Sequence, residues 1–150
     1  MICDMINRIR KYFDTQEVVC KHVYDKFGDD AWKFFDPRLL ETLLFIREGI
    51  GKPIYVNNWQ IGGSLSQRGL RCCVCPLVKE KSSLNKVYLS MHIFGKAIDF
   101  NVKGMTDSEI KKWIDNNKDI LPYCIRVEKN TNGWVHFDLG YFGQKEKILY

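Results

Sequence analysis

Apolar residues recur at intervals of three and four positions near the start of the chain, which is the period of one face of an α-helix. The spacing predicts an amphipathic helix in residues 1–13 and a second, short helix in residues 15–27. Asp36 and Pro37 are a strong helix start, because aspartate caps a helix N-terminus and proline fits its first turn. The apolar residues that follow continue this third helix to Gly49, and we expect it to be part of the core.

Short segments rich in β-branched and aromatic residues predict the strands. They are residues 53–57, 87–90, 97–102, 124–128 and 134–139. The last two flank an Asn-Gly loop, which is typical of a β-hairpin. A fourth helix is predicted for residues 106–118, because Thr106 and Glu109 form a capping box. Helices and strands do not alternate regularly, so we predict one α+β domain over residues 1–150, with a central, mostly antiparallel sheet flanked by helices.

The stretch 58–86 lacks any sustained period and is rich in glycine and serine. We predict a long irregular insertion here, and segments of this kind in a compact domain are usually functional or mobile. The sequence leaves open whether the insertion covers a site as a lid or binds a partner.

The composition is that of a globular domain, since 45% of the 150 residues are hydrophobic and 27% are charged. The formal net charge of +5 suits an anionic polymer, such as nucleic acid or a bacterial cell wall, without requiring one. The N-terminal segment lacks the apolar run of a secretory signal, and no stretch approaches the roughly 20 apolar residues of a spanning helix. We therefore expect a soluble protein, made in the cytoplasm without a signal peptide of its own and with no membrane span. A monomer is the expected state, although the sequence leaves the oligomeric state open.

The chain has six cysteines, and without a secretory signal we favour free thiols over disulfides. Cys72, Cys73 and Cys75 lie close together, as in some zinc sites. A structural zinc site, however, needs four ligands, usually two pairs. The second pair is missing unless Cys20 and His22 supply it from far away in the sequence. We therefore interpret the three neighbouring cysteines as small buried residues beside a turn, and His22 as a structural histidine.

The predicted hairpin gathers polar side chains on one face. Because side chains alternate along a strand, Trp134, His136 and Asp138 lie opposite their apolar neighbours. On the partner strand, Arg126 and Glu128 belong to the same polar face, across from or diagonal to these residues. Taken alone, such a face is typical of solvated charge.

A second segment changes this interpretation. Asp99 lies in a strand with apolar neighbours, and a buried carboxylate needs a partner or a metal. His92 can fold back onto Asp99 if Gly95 supplies a bend. Together with His136 they make a set of two imidazoles and one carboxylate, which suits zinc and leaves a fourth position open for water.

These residues resemble the signature of a known family. The pattern Ser90-x-His92-x-x-Gly95-x-Ala97-x-Asp99, followed by Glu128 and Trp134-x-His136, is similar to that of the zinc D-alanyl-D-alanine carboxypeptidases and dipeptidases. That family shares its fold with the Hedgehog signalling domain. The segments from Phe13 onward resemble the smaller cell-wall peptidases of this group found in bacteriophages.

The resemblance implies a Hedgehog/DD-peptidase-like fold and a Zn2+ cofactor bound by His92, Asp99 and His136, with Glu128 as the general base. In the dipeptidases the glutamate lies close before the histidine, whereas here eight positions separate Glu128 from His136. A hairpin can accommodate such an insertion in its loop, because the pairing of the two strands, and not their separation in the chain, determines how close Glu128 lies to His136.

The family also uses an upstream arginine or glutamine to hold the substrate or the oxyanion. The candidates in this chain are Arg71, which we favour, then Arg68, and Gln60. Three further residues have supporting roles. Ser90 is expected to support the ligand loop rather than act as a nucleophile. Trp134 is expected either to form a wall of the substrate groove or only to pack against its neighbours. Asp138 is expected either to orient a ligand imidazole or to remain a solvated carboxylate.

The expected function is hydrolysis of D-Ala-containing stem or cross-bridge peptides of bacterial peptidoglycan, by a phage endolysin or a virion-associated lysin that reaches the wall after release. The alternative is a non-catalytic zinc-binding module for protein interaction, as in Hedgehog. Retention of Glu128 argues against that alternative, because a pure binder needs the metal but no base. A nucleic-acid-binding domain is disfavoured, since the chain has no clustered basic stripe with stacking aromatics. The sequence leaves open which bond is cut, and whether by a carboxypeptidase or an endopeptidase.

Overall fold

A computed structural model of the protein describes residues 2–83, 85, 87–140 and 148–149. Met1, the first residue of the predicted N-terminal helix, and Lys86, the last residue of the predicted irregular insertion, therefore lie outside the described residues. This part of the chain contains the helices α1 (Ile2–Ile9), α2 (Thr15–Val18), α3 (Lys21–Phe27), α4 (Pro37–Ile50), α5 (Pro76–Ser82) and α6 (Asp107–Asn116). Short 3-10 helices cover Gly28–Phe34, Trp59–Ile61 and Lys118–Ile120. Among the described residues, no helix has both the length and the apolar character needed to cross a membrane.

The predicted second helix is split in two. The backbone is extended at Val19 and Cys20, so that α2 and α3 are separate helices. The cause is a pairing with a distant segment: Val19 forms a parallel bridge with Leu70, Cys20 N donates to Leu70 O at 2.9 Å, and Leu70 N donates to Val18 O at 2.8 Å. A continuous helix would need these backbone groups for its own hydrogen bonds.

The predicted caps of the two long helices are observed. Asp36 accepts a hydrogen bond from Arg38 N at 3.0 Å at the start of α4. At the start of α6, Thr106 N donates to the Glu109 carboxylate at 2.8 Å, and Glu109 N donates to Thr106 Oγ1 at 3.2 Å. The predicted irregular stretch 58–86 is interrupted by α5, whose first turn contains a proline.

Within the described residues, five strands form one sheet. They are β1 (Ile54–Tyr55), β2 (Ala97–Val102), β3 (Arg126–Val127), β4 (Val135–Asp138) and β5 (Ile148–Leu149), in the order β1-β2-β4-β3-β5. All neighbouring strands are antiparallel except β3 and β5, which are parallel. The predicted α+β class with a mostly antiparallel sheet is therefore confirmed.

The strand predicted for residues 87–90 is wrong, because these residues have no strand partner within the described part of the chain. Val87 and Leu89 are 89% and 67% exposed, so the alternating pattern turns its apolar side chains to solvent. Tyr88 and Ser90, the polar members of the pattern, are half-buried and, with Leu89, line a cleft described below.

The core fixes the two central strands. Phe100 of β2 and Phe137 of β4 are fully buried, with an edge-to-face ring contact at 6.0 Å between centroids. Leu39 of α4 belongs to the same buried cluster. Each such side chain stabilises the fold by about 1.5–3 kcal/mol relative to an exposed one. Asp99 and His136 are the chain neighbours of these two phenylalanines, so the packing that fixes the strands also fixes their positions.

Candidate metal centre

Asp99 of β2 and His136 of β4 are direct partners in the antiparallel register. Both side chains are buried, and Asp99 Oδ1 lies 2.7 Å from His136 Nδ1. The predicted hairpin register is also observed, since Arg126 is opposite Asp138 and Glu128 N donates to His136 O. His136 is 8% exposed and Asp138 only 1%, so an interpretation of these two residues as solvated polar groups is wrong.

His92 reaches this pair through a tight turn that ends at Gly95. The φ angle of Gly95 is +63°, and a Cβ at this position would lie 2.2 Å from Phe34 O, so glycine is required. The turn places His92 Nε2 at 3.3 Å from His136 Nδ1 and 3.4 Å from Asp99 Oδ2. The bend expected at Gly95 is therefore observed.

Hydrogen bonds from outside the group orient both imidazoles. His92 Nδ1–H donates to Gly69 O at 2.8 Å, and His136 Nε2–H donates to Asp138 Oδ2 at 3.1 Å. Asp138 is held in turn by Arg126, which donates to its two oxygens at 2.8 and 2.9 Å. His92 Nε2 and His136 Nδ1 therefore face the interior of the group, which is the usual arrangement around a metal-ligating histidine.

The two separations that involve His92 Nε2, 3.3 Å to His136 Nδ1 and 3.4 Å to Asp99 Oδ2, match neighbouring corners of a tetrahedral metal site, whereas Asp99 Oδ1 lies at hydrogen-bond distance, 2.7 Å, from His136 Nδ1. The ligand atoms of all three side chains lie within 4.8 Å of one another. With metal–nitrogen distances of about 2.0–2.1 Å, two nitrogens on neighbouring corners of a tetrahedron are about 3.3–3.4 Å apart. The observed distance from His92 Nε2 to His136 Nδ1 is 3.3 Å. His92, Asp99 and His136 could therefore hold a metal ion through two nitrogens and one carboxylate oxygen.

Burial and hydrogen bonds have opposite effects on the pKa values of these side chains. Burial lowers the pKa of His136, but its hydrogen bonds with Asp138 and Asp99 outweigh burial and raise the pKa to about 9. Burial would raise the pKa of Asp99, but hydrogen bonds with His136 and His92 hold it well below its usual range. The pKa of His92 is lowered by burial. Because a ligating histidine must be neutral, a bound metal would take the place of the proton on His136 Nδ1.

A loop from the irregular stretch packs against two of the candidate ligands, His92 and Asp99. Arg71 Nη2 donates to Asp99 Oδ2 at 3.2 Å, and Arg71 Nε donates to Gln67 O. Asp99 N donates to Arg68 O at 2.7 Å, and Arg71 N donates to His92 O at 3.2 Å. The segment predicted as an irregular insertion is thus tied to β2 and to the turn that carries His92.

Gly69 makes this packing possible. A Cβ at Gly69 would lie 1.9 Å from Val18 O, closer than any side chain can approach a carbonyl oxygen. The loop therefore sits on the end of α2 because residue 69 is glycine, and Gly69 O can then accept from His92. Sequence reasoning missed this role, since a glycine in an irregular stretch gives no sign of the backbone it will contact.

Two clefts open beside the candidate ligands. One has a volume of about 350 Å³ and is lined by His92, Asp99 and His136 together with Ser90, Glu128 and Asp138. The other has a volume of about 450 Å³, and its lining includes Gln67, Arg68 and Asn101. Arg71, Asp99 and Trp134 line both clefts. Because they share these three residues, the two clefts form one recess. Of the residues proposed from the sequence, Glu128 lines the first cleft, Arg68 the second and Arg71 both.

The remaining candidate residues differ in their relation to this recess. Ser90 Oγ accepts a hydrogen bond from His92 N at 3.3 Å and so supports the ligand turn. Trp134 is 40% exposed at the rim. Gln60 belongs to the short 3-10 helix Trp59–Ile61 and is not among the residues that line the two clefts described above.

Comparison of the chain with protein-family models, with curated proteins and with solved structures gave no match. The candidate centre is therefore supported by its own geometry together with the motif in the sequence.

Proposed function

We propose that this chain is a zinc peptidase of the Hedgehog/DD-peptidase fold that hydrolyses D-Ala-containing peptide bonds of bacterial peptidoglycan, as a phage endolysin or a virion-associated lysin. One observation carries the proposal: the cleft lined by His92, Asp99 and His136 is also lined by Glu128. Catalytic zinc sites commonly have three protein ligands and an open fourth position. The substrate class comes from the similarity of the motif to the zinc carboxypeptidases and dipeptidases.

Glu128 has the role of general base and acid. Zinc, when bound, supplies a Lewis acid that polarises the scissile carbonyl and lowers the pKa of water. The Glu128 carboxylate takes a proton from the attacking water as the water oxygen bonds to the carbonyl carbon. It then gives this proton to the amine as the carbon–nitrogen bond breaks. The carboxylate is regenerated, so one residue serves both halves of the reaction.

The two arginines have different surroundings and, in this proposal, different tasks. Arg71 contacts the candidate ligand Asp99, and it steadies the negative charge that develops on the carbonyl oxygen. Arg68 lines the neighbouring cleft, where burial lowers the pKa of its guanidinium. A guanidinium with reduced access to water interacts more strongly with an anion, so Arg68 holds a carboxylate of the substrate. Trp134 forms the wall that the two clefts share.

Mass spectrometry of purified peptidoglycan after incubation with the protein tests this function. We expect new amino and carboxyl ends at a bond that adjoins D-Ala, and their identity distinguishes a carboxypeptidase from an endopeptidase. Asp99→Asn is the matched control, because it keeps the size of the side chain and removes the charge that binds the metal. If the peptidoglycan stays intact after treatment with zinc-loaded wild-type protein, the proposed peptidase activity is overturned and a non-catalytic zinc-binding module is favoured.

A further inference from the structure

A second cluster of potential metal ligands lies outside the recess described above. The ligand atoms of Cys20, His22, Cys72 and Cys75 all lie within 4.8 Å of one another. The interpretation of Cys72, Cys73 and Cys75 as small buried residues holds for Cys75 alone, because Cys73 is exposed and Cys72 half-buried. The sequence pairs Cys20 with His22 and Cys72 with Cys75, so the second pair that a structural site requires is present.

Backbone pairing between two distant segments brings the four residues together. Val19 forms a parallel bridge with Leu70, and Cys20 N donates to Leu70 O at 2.9 Å. This alignment places Cys20 beside Cys72, with 3.7 Å between their sulfur atoms. The turn from Cys72 to Cys75 is closed by a hydrogen bond from Cys75 N to Cys72 O at 3.1 Å.

The distances within the cluster are those of a tetrahedral zinc site. With a zinc–sulfur distance of about 2.3 Å, neighbouring sulfurs are about 3.8 Å apart, and a sulfur and a nitrogen are about 3.5–3.6 Å apart. The sulfurs of Cys20 and Cys72 are 3.7 Å apart, and those of Cys72 and Cys75 are 3.9 Å apart. His22 Nδ1 lies 3.7 Å from Cys72 Sγ and 3.9 Å from Cys75 Sγ. A disulfide would bring two sulfurs to about 2.05 Å, and these thiols are free.

The chemistry of the donors favours zinc. Three sulfurs and one imidazole nitrogen are soft or intermediate ligands, which bind zinc in preference to magnesium or calcium. Cys72 N donates to Cys75 Sγ at 3.4 Å, and a backbone donor to sulfur favours the thiolate that a metal needs. All four corners of the tetrahedron are supplied by the protein, which is the pattern of a structural rather than a catalytic zinc site.

We propose that Cys20, His22, Cys72 and Cys75 bind a structural zinc ion. This ion joins the start of α3 to the loop that precedes α5. The same loop carries Gly69, whose carbonyl accepts from His92, and Arg71, which contacts Asp99. The zinc ion thereby holds the loop against the candidate metal centre; only this last consequence rests on the proposed function.

Zinc content and cobalt spectroscopy on the full chain test the site. We expect about one zinc for each of the two ligand groups, about two per chain in the wild type. Cys72→Ser should lose one, whereas Cys73→Ser, a matched control in the same turn, should lose none. Cobalt-loaded wild-type protein should show thiolate-to-cobalt charge-transfer absorption in the near ultraviolet. Absence of that absorption, or a zinc content unchanged by Cys72→Ser, would overturn the proposal.

The test separates this site from the candidate metal centre. His92→Ala should remove one metal and leave the thiolate-to-cobalt absorption intact. If His92→Ala removes no metal while that absorption persists, the proposed function fails and the cysteine site stands. The cobalt spectrum of the wild type tests the cysteine site without any substitution, so it does not depend on a variant that folds. His22 is exposed, so His22→Ala should alter this spectrum without unfolding the chain.

Discussion

Asp99 and His136 face each other across β2 and β4, with 2.7 Å between Asp99 Oδ1 and His136 Nδ1. Both positions are set by strands whose neighbouring side chains are buried in the core. His92, in contrast, lies in a turn, and its imidazole is oriented by the hydrogen bond from Nδ1 to Gly69 O. The geometry of the candidate centre therefore depends most on the loop that carries Gly69.

Gly69→Ala should weaken metal binding at the candidate centre. Its Cβ would lie 1.9 Å from Val18 O, so the loop must move and the bond from His92 Nδ1 to Gly69 O is lost. Loss of such an orienting partner weakens metal affinity about 10- to 100-fold. Chelator competition, followed through the absorption of cobalt bound without thiolate, measures this affinity. Ser66→Ala in the same loop is the control, and an equal affinity for both variants would show that Gly69 does not position His92.

Arg68→Ala should raise KM far more than it lowers kcat. The guanidinium is proposed to bind a substrate carboxylate, and a hydrogen bond to a charged group contributes about 1.5–3 kcal/mol, equivalent to about 10- to 100-fold in KM. Steady-state kinetics on a peptide with a free terminal carboxylate measures the change. The same peptide with an amidated end should show little difference between wild type and variant. Equal KM values for the free acid would contradict this role.

Asp36 should give the protein a pH-dependent stability that is independent of the metal centre. Hydrogen bonds from Arg38 hold the pKa of the Asp36 carboxyl below its ordinary value, and the side chain caps α4. A lowered folded pKa means that the stabilisation is complete above about pH 4 and is lost as the pH falls through the folded pKa. Asp36→Ala should cost about 1 kcal/mol at neutral pH. Urea unfolding at several pH values measures this cost, which should shrink in acid; a constant cost would contradict the prediction.

The sequence predicts those parts of the structure that depend on neighbours in the chain. Alternation along the hairpin places His136 and Asp138 correctly, and the turn at Gly95 brings His92 to Asp99 because only a few residues separate them. The helix capped by Asp36 is predicted for the same reason, since a cap is a contact within one turn.

The contact between the segments of Cys20 and Cys72 is not predicted, whereas the motif in the sequence does bring His136 to Asp99. Cys20 meets Cys72 through a backbone bridge between Val19 and Leu70, and backbone bonds leave no signature in the residue types. The strand predicted at residues 87–90 fails for a related reason. The sequence alternates there, but the pattern does not say whether another part of the chain covers the apolar side. Within the described residues no part does, because Val87 is 89% exposed.

The most direct test of the central claim is the comparison of zinc content and peptidoglycan turnover in Glu128→Gln. Glu128 lines the cleft without belonging to the metal-binding group, so the variant should bind as much zinc as the wild type. It should also lose peptide release, by about 100-fold or more, because a positioned general base contributes about 10²–10⁴-fold. Lys129→Gln, one residue away, should retain both properties. Full turnover by Glu128→Gln with its zinc in place would contradict the account.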